Sequence, residues 1–296
     1  MVTAAAPAVQ HRPGLGIGLM LLAWALFSMV DTSVKWLVLA GLPATQLAFM
    51  RYFGHLLIST AQMSRGGFQR SRFKMRHPWL VLIRALLLVS ATAFNFYVLK
   101  FLPLTITSAV MFSAPIIVCL LSWPILGERV GPWRWFAIVL GFVGVLVVIR
   151  PFGEDFQWAA VVTVYNAFAL AFYSIITRKL SGDEPIEVLQ FYLGLTGVLV
   201  LLPFASLGWS APANGLDWAL FLALGIWAWA GHELLIRAHA LAPANLLMPY
   251  TYSFVIYLTI TSYLIFNHIP DMWTVIGALI IAGSGLLIWA RERQAR

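Results

Sequence analysis

Long apolar runs separated by short polar segments account for nearly the whole chain. A helix crosses the hydrocarbon core of a bilayer in about 20 residues, and most of the runs come close to that length. Most of them begin at or beside a proline, where the missing backbone N–H costs a helix nothing. Backbone polar groups in hydrocarbon must pair within their own segment, so continuous runs predict helices rather than the alternating strands of a membrane barrel. The ten predicted spans are 14–39, 43–62, 78–100, 103–125, 131–149, 157–177, 185–208, 216–237, 243–266 and 270–290.

The composition excludes a water-soluble enzyme. Hydrophobic residues make up 61% of the 296 positions and charged residues only 10%, whereas soluble domains are about half apolar and a quarter charged. Ten spans with short connections use the whole length, so the predicted fold class is an all-α integral membrane protein of ten transmembrane helices. The single cysteine, Cys119, allows no intramolecular disulfide. The first apolar run is too long for a signal peptide and lacks a cleavage site, so we expect a retained first helix.

Positive charge is concentrated on one side of the predicted membrane. With ten spans, the termini and the even-numbered connections share a side, and cytoplasmic loops of membrane proteins are enriched in Lys and Arg. We therefore predict that both termini are cytoplasmic, and the net charge of +8 indicates membrane orientation rather than nucleic-acid binding. The opposite side has only Lys35, Lys100 and Arg150. The cytoplasmic side has Arg12, Arg65, Arg70, Arg72, Lys74, Arg76, Arg129, Arg134, Arg178, Lys179, Arg237, Arg291, Arg293 and Arg296.

A weak internal repeat relates the two halves of the chain. Shifting the sequence by roughly half its length, which is about the length of one five-span unit, lays the fourth and fifth spans on the ninth and tenth. This shift matches Pro103 with Pro243. Five is an odd number of spans, so a second copy enters the membrane in the opposite sense. The sequence therefore predicts two inverted five-helix repeats (5+5), one over residues 1–150 and one over 151–296. Inverted repeats around a central site are the architecture of many secondary transporters.

Two pairs of charged residues lie within the predicted spans, where ionisable groups are costly. Asp31 and Arg51 both lie roughly 12 Å below the outer surface at 1.5 Å per residue, so an ion pair between the first two spans is expected. Such a pair is either structural, or involved in proton coupling or in substrate recognition. Arg84 and Glu233 reach similar depths from the cytoplasmic side and form a second candidate pair. Alternatively, Arg84 extends to the interface while Glu233 pairs with Arg237 at i+4.

Aromatic and amide side chains near mid-depth are the candidate substrate ligands. A cavity of rings with a few hydrogen-bonding groups suits a flat, amphipathic molecule, although many such rings pack helix against helix. Trp229 shares a helix face with Glu233 and is assigned to the cavity, whereas Trp227 is about 200° away and is assigned to packing or to contact with lipid. Glycines within spans indicate close helix packing; they are Gly141, Gly144, Gly194, Gly197, Gly277 and Gly283. The predicted substrate-binding residues are Trp24, Asn95, Tyr97, Asn166, Tyr173, Trp229, Tyr250 and Ser253.

The segment 113–151 resembles the end of an EamA domain in the drug/metabolite transporter superfamily. In that pattern a proline-containing fourth span closes on Gly-Glu, here Gly127-Glu128, and a glycine-rich fifth span follows. The second half resembles a diverged copy in which Asn267-His268 replace Gly-Glu. The resemblance implies a ten-helix metabolite exporter of a bacterial inner membrane. Within the family, the many deep aromatic residues are most similar to the branch that exports aromatic amino acids.

Several other classes are disfavoured by missing motifs. The sequence has no Walker loop and no selectivity-filter loop, and His232-Glu233 is not followed by the second histidine of a zinc-hydrolase helix. We therefore predict a secondary transporter, not an enzyme, with no cofactor and no metal site. Its expected substrates are small metabolites, most of all amino acids including aromatic ones, and the chain is expected to act as a monomer in the lipid bilayer. The alternative is a membrane enzyme or flippase-like protein acting on lipid-linked or other amphipathic substrates.

Overall fold

A computed structural model of the chain describes residues 12–65, 73–114, 116–118, 120–121, 132–150, 157–180, 183–241 and 247–294. Over these residues the chain is helical, with no β-strand. A 3-10 helix, Met248–Tyr252, precedes the ninth α-helix. The α-helices are α1 (Pro13–Leu39), α2 (Ala44–Ser64), α3 (Pro78–Val98), α4 (Leu104–Met111), α5 (Pro132–Ile149), α6 (Trp158–Leu180), α7 (Ile186–Ser206), α8 (Gly215–Leu241), α9 (Ser253–Phe266) and α10 (Met272–Gln294).

Each described helix falls on one of the predicted apolar runs, so the predicted order of elements is confirmed. Five helices, α1, α3, α6, α7 and α8, are long and apolar enough to cross a membrane, and the apolar parts of the α4, α5, α9 and α10 regions are shorter. α2 is as long as α3 but less apolar, because its interior carries Arg51, His55 and Ser59. Large apolar side chains such as Leu22 and Leu199 are exposed on the outer faces of the helices, as expected for a surface in contact with lipid.

Prolines and one asparagine set several helix ends. Pro13 and Pro78 stand in the first turns of α1 and α3, where an amide N–H has no partner in any case. Asn267 adopts a left-handed conformation with a φ of 52° and ends α9. This ending accounts for Asn267-His268 at the place where the first half has Gly127-Glu128. Gly127, Glu128 and Pro115 lie outside the described residues.

The two halves of the chain are paired helix by helix. The main neighbours are α1 with α8, α2 with α7, α3 with α6, α4 with α9, and α5 with α10. Exchanging the first five helices with the second five leaves this set of pairs unchanged. The core therefore lies between the halves rather than within each of them, and side chains from both halves meet at its centre.

Glycines allow the closest of these helix contacts. Five of the six predicted packing glycines are confirmed, because a Cβ atom there would approach neighbouring atoms within 3.0 Å; they are Gly141, Gly144, Gly194, Gly197 and Gly277. The prediction for Gly283 is wrong, since a Cβ there would meet nothing within 4 Å. Gly54 of α2 and Gly225 of α8 form a further close contact that the sequence analysis missed. A Cβ built on Gly225 would lie 2.6 Å from the Cα of Gly54.

Candidate substrate-binding site

Asp31 and Arg51 lie near each other, but the expected direct ion pair is wrong. Within the described residues, no carboxylate oxygen comes within the 4.0 Å limit of an ion pair with Arg51. Both side chains instead bind α3. Asn95 donates to the two carboxylate oxygens of Asp31 at 3.3 and 3.4 Å, and Arg51 Nη1 donates to Thr92 Oγ1 at 2.7 Å. A third helix supplies the partners that the comparison of two helices predicted each residue would find in the other.

Thr92 joins Arg51 to a buried tyrosine. The Tyr52 hydroxyl lies 2.8 Å from Thr92 Oγ1 and 3.1 Å from the Leu88 carbonyl oxygen. The Arg51 guanidinium also lies over the Tyr52 ring, 5.1 Å from its centroid. Arg51 Nε is buried with no partner in the described part of the chain. The guanidinium is therefore held at one end and has a donor available at the other.

Arg84 neither pairs with Glu233 nor extends to the interface, so both expectations for it are wrong. Its side chain is buried and is held by α6, where Nε donates to Thr177 Oγ1 at 2.6 Å and Nη2 donates to the Tyr173 hydroxyl at 2.7 Å. It also lies over the Tyr173 ring at 4.4 Å from the centroid. Tyr173, a predicted substrate ligand, is therefore occupied by Arg84. Sequence spacing does not reveal this pairing because the two residues lie on α3 and α6.

Glu233 pairs within its own helix. Arg237 Nη2 and Nε lie 2.9 and 3.0 Å from Glu233 Oε1, one turn further along α8. This pair was one of the two alternatives left open by the sequence, and it is confirmed. The Arg237 side chain is 64% exposed, so the pair belongs to the rim of the helix bundle rather than to its centre.

Trp24 is at the middle of an aromatic cluster formed by both halves of the chain. Its ring centroid lies 5.5 Å from that of Phe27 and 5.3 Å from that of Phe254. Phe112 is 6.4 Å from Trp24 and 5.0 Å from Tyr252. We call Trp24, Phe27, Phe112, Tyr252 and Phe254 the aromatic cluster. The Trp24 indole N–H is buried without a partner among the described residues, so it is available to a ligand.

A basic cluster adjoins the aromatic one. The Phe27 ring contacts the His232 ring at 4.9 Å, and His232 in turn contacts His55 at 6.0 Å. The positive charges of Arg51 and Arg84 act on both imidazoles. We call His55, His232, Arg51 and Arg84 the basic cluster. The signal for its α2 members was present in the sequence, because Arg51, His55 and Ser59 recur at i, i+4 and i+8 on one helix face.

The remaining predicted ligands are dispersed. Tyr97 is 55% exposed and contacts the Phe101 ring edge-on, about 200° around α3 from Asn95. Asn166 is fully buried on α6, and neither of its amide atoms has a partner among the described residues. Tyr250 packs on a small separate core, and Ser253 donates to the Tyr250 carbonyl. The structure brings Asp31, Arg51 and Asn95 together at α3, places Trp24 in the aromatic cluster, and places these four residues elsewhere.

The two tryptophans of α8 differ in their contacts. Trp229 donates its indole N–H to Gln62 Oε1 on α2 at 3.3 Å. Trp227 packs against the main hydrophobic core, as predicted for the face opposite Trp229. The contact with Gln62 places Trp229 beside the polar side chains of α2, and its assignment to the cavity stays a prediction.

Comparison with known proteins identifies the family of this chain. The profile of the EamA-like transporter family matches residues 14–150. An S-adenosylmethionine uptake transporter of Rickettsia felis is 30% identical over 280 residues, which cover 95% of this chain and 94% of that protein. The chain belongs to the EamA-like transporter family. This places it in the drug/metabolite transporter superfamily, as the resemblance in segment 113–151 implied.

Other relatives of this chain have names that refer to different substrates. A riboflavin transporter of Vibrio cholerae is 26% identical, covering 97% of this chain and 98% of that protein. A pseudopaline exporter of Pseudomonas aeruginosa is 27% identical, covering 90% and 93%. A protein of known crystal structure shares the fold with a TM-score of 0.64, at 20% identity over 96% of this chain and 98% of that one. The protein is thus a multi-pass inner-membrane transporter of a small molecule, and the enzyme alternative is not favoured.

Proposed function

We propose that this EamA-like transporter exports small metabolites, namely amino acids including aromatic ones, by alternating access around a site formed by both halves. The observation that carries the proposal is that Asp31 of α1 and Arg51 of α2 are hydrogen-bonded to neighbouring residues of α3. Their partners Thr92 and Asn95 are three residues apart, so the two charges approach α3 within one turn.

This pair of charges matches the two charged groups of an amino acid. Arg51 retains an unpartnered Nε that suits a carboxylate, since arginine binds carboxylates through paired N–H donors. Asp31, together with the unpartnered Oδ1 of Asn95, offers acceptors to an ammonium group. Trp24 lies seven residues before Asp31 on the same face of α1. A substrate bound between the charges therefore directs its side chain towards the aromatic cluster.

The helix pairing supports the proposed inverted repeat. A set of pairs that is unchanged when the halves are exchanged is expected of two copies related by a two-fold axis in the membrane plane. We propose residues 1–150 and 151–296 as the two repeats, with both termini cytoplasmic. The 3-10 helix that contains Pro249 interrupts the start of the ninth span, and it supplies the bend that rocking of the halves requires.

The relatives support transport of metabolites and leave the substrate as our proposal. Their names include both uptake and export, so the direction of net flux follows the gradients acting on each protein. Export is the direction implied by the resemblance to aromatic amino acid exporters. We propose a monomer as the working unit.

The proposal is tested by counterflow into proteoliposomes of the purified protein. The panel is L-phenylalanine, L-tryptophan, L-leucine, S-adenosylmethionine and riboflavin, with chromatography to confirm that each compound is recovered unaltered. We expect exchange of the amino acids, and loss of exchange for phenethylamine, which lacks the carboxylate, and for 3-phenylpropionate, which lacks the ammonium. Exchange of riboflavin or S-adenosylmethionine without amino acids would refute the proposed substrate class.

Trp24→Ala tests the contribution of the aromatic cluster. A ring contact is worth about 0.5–1.5 kcal/mol beyond burial, so exchange of aromatic substrates should weaken roughly threefold to tenfold, and that of L-leucine less. Trp79→Ala is the matched control, because Trp79 is 75% exposed in the first turn of α3. Equal losses for L-phenylalanine and L-leucine in Trp24→Ala would remove Trp24 from substrate selection.

A further inference from the structure

His55 and His232 form a pair of imidazoles inside the helix bundle. Their ring centroids are 6.0 Å apart, and the Nε2 atom of each is buried without a partner in the described part of the chain. His55 is only 2% exposed and is enclosed by the helix bundle. His232 is fixed by the Phe27 ring at 4.9 Å. Each imidazole is thus held in place while one ring nitrogen stays available.

The helices around the pair supply positive charge. Arg51 of α2 and Arg84 of α3 act on both imidazoles, and no carboxylate is among the described groups that act on them. The acidic side chains of α1 and α8 that belong to this part of the bundle have other partners: Asp31 binds Asn95, and Glu233 binds Arg237.

The tyrosines that face this region are also engaged. The Tyr52 hydroxyl of α2 binds Thr92, and that of Tyr173 of α6 accepts from Arg84. Among the described groups, the region between α2, α3 and α8 therefore places two guanidinium groups near the imidazoles and no carboxylate that acts on them.

Such an arrangement of charges links the binding of a proton to the binding of an anion. A proton on either imidazole adds positive charge to a region that already holds two guanidinium groups, whereas a bound carboxylate supplies the negative charge that offsets it. Each ligand therefore stabilises the other, and this linkage is reciprocal. Histidine is the side chain that gains and loses a proton in the physiological pH range.

The pair also lies on the route from the amino acid site to the cytoplasmic end of α2. Arg51 is about 20 Å from that end and His55 about 14 Å, at 1.5 Å per residue. Ser59, one turn beyond His55, has a buried hydroxyl without an acceptor among the described residues. A carboxylate released by Arg51 towards the cytoplasm meets the imidazoles next.

We propose that His55 and His232 bind a proton together with the carboxylate of the substrate, so that one proton crosses the membrane with each amino acid. The inference rests on the proposed function, because it needs a substrate that carries a carboxylate. The proton enters from one side and is released with the substrate on the other, which returns both imidazoles to their neutral form. Outward flow then carries protons outward, so export operates when the substrate gradient exceeds the opposing proton gradient.

The test measures protons and substrate together in proteoliposomes. The lumen contains a pH-sensitive dye, the pH is equal on both sides, and potassium with valinomycin clamps the voltage. When labelled L-phenylalanine is added outside, we expect the lumen to acidify in proportion to uptake, at about one proton per substrate by the linkage above. In His55→Gln and His232→Gln the ratio of protons to substrate should fall towards zero. His77→Gln, an exposed histidine before α3, should keep the wild-type ratio.

A binding measurement on the unaltered protein covers the case in which the variants fail to fold. Binding of L-phenylalanine, followed by tryptophan fluorescence, should tighten as the pH falls from 8 to 6, by at most about tenfold per pH unit for one linked proton. Substrate movement without a pH change, or affinity that does not depend on pH, overturns this inference alone. Failure of every amino acid to bind overturns the proposed function, and this inference with it.

Discussion

At the scale of single residues, the buried polar groups depend on a few shared partners. Thr92 accepts from Arg51 and lies within hydrogen-bond distance of the Tyr52 hydroxyl. One threonine thereby fixes a cation and a phenol that belong to a different helix. Buried groups left unpaired cost about 1–3 kcal/mol each, so a residue with two partners has more influence on stability than its size indicates.

Thr92→Val should therefore lower the stability of the detergent-solubilised protein by about 1–3 kcal/mol, because Arg51 loses its acceptor. The measurement is a thermal melt followed by tryptophan fluorescence. Thr60→Val is the matched control, since the bond of Thr60 goes to the Leu56 carbonyl of its own helix. A melting temperature that falls equally in both variants would show that the link to Arg51 contributes nothing.

At the scale of helices, the contact between α2 and α8 is set by two glycines. The Cα of Gly54 would lie 2.6 Å from a Cβ built on Gly225, so the two backbones are as close as the absence of side chains allows. This contact holds Arg51 and His55 of α2 against His232 of α8. The geometry of the basic cluster therefore depends on residues that carry no chemistry of their own.

Gly225→Ala should separate α2 from α8 and destabilise the fold by about 1–3 kcal/mol, as overpacking of a filled core does. Gly283→Ala offers a direct comparison, because it adds the same methyl group to a helix where nothing lies within 4 Å. We expect Gly283→Ala to be neutral or slightly stabilising, since alanine favours a helix over glycine. Thermal melts of both variants test this, and equal destabilisation would contradict it.

Asp271 couples the paired helices α5 and α10 at the predicted periplasmic side. Its Oδ1 accepts from the Thr274 backbone N–H at 2.7 Å, and its Oδ2 lies 2.5 Å from Arg150 Nη2. Burial on its own raises the pKa of Asp271. The hydrogen bonds from Thr274 and the charge of Arg150 outweigh that effect, so the pKa of Asp271 lies below its ordinary value of 3.8. A lowered pKa stabilises the fold above the unfolded value and loses that contribution as the pH falls through the folded value.

Stability should accordingly decrease as the pH falls below about 4, the ordinary range of the aspartate carboxyl group. In Asp271→Asn, which keeps a capping side chain but lacks the charge, this acid dependence should be weaker. The Asp271 side chain is 43% exposed, so we expect a small effect. Melting temperatures between pH 3 and pH 6 measure it, and identical acid profiles for the two proteins would exclude the Arg150 pair as a cause.

At the scale of the whole molecule, the five helix pairs and the distribution of charge make one topological prediction. Reporter fusions after Arg76 and after Arg296 should read as cytoplasmic, and a fusion after Gly208, between α7 and α8, should read as periplasmic. The reason is that Lys and Arg are retained on the cytoplasmic side during insertion. Opposite locations for the first and last fusions would mean an odd number of spans and would end the 5+5 proposal.

Much of the fold followed from the sequence, because the bilayer imposes simple local rules. Apolar runs of about 20 residues must be helices, and most described helix ends fall within a few residues of the predicted ones. The exceptions are the end of α4 at Met111 and the start of α9 at Ser253, against predicted bounds of 125 and 243. The pairing of Glu233 with Arg237 was likewise available, since it depends only on the spacing within one helix. The same holds for the packing of most glycines within spans.

The sequence by itself thus determined the class of the protein, the order of its helices and the short-range contacts. Tertiary structure decided which helices are neighbours, and with them the partners of every buried charge. Asp31 and Arg51 have matching depths, yet each binds α3, while Arg84 binds Tyr173 of α6. Depth follows from counting residues, whereas the azimuth of a helix and the identity of its neighbour follow from packing between segments far apart in the chain.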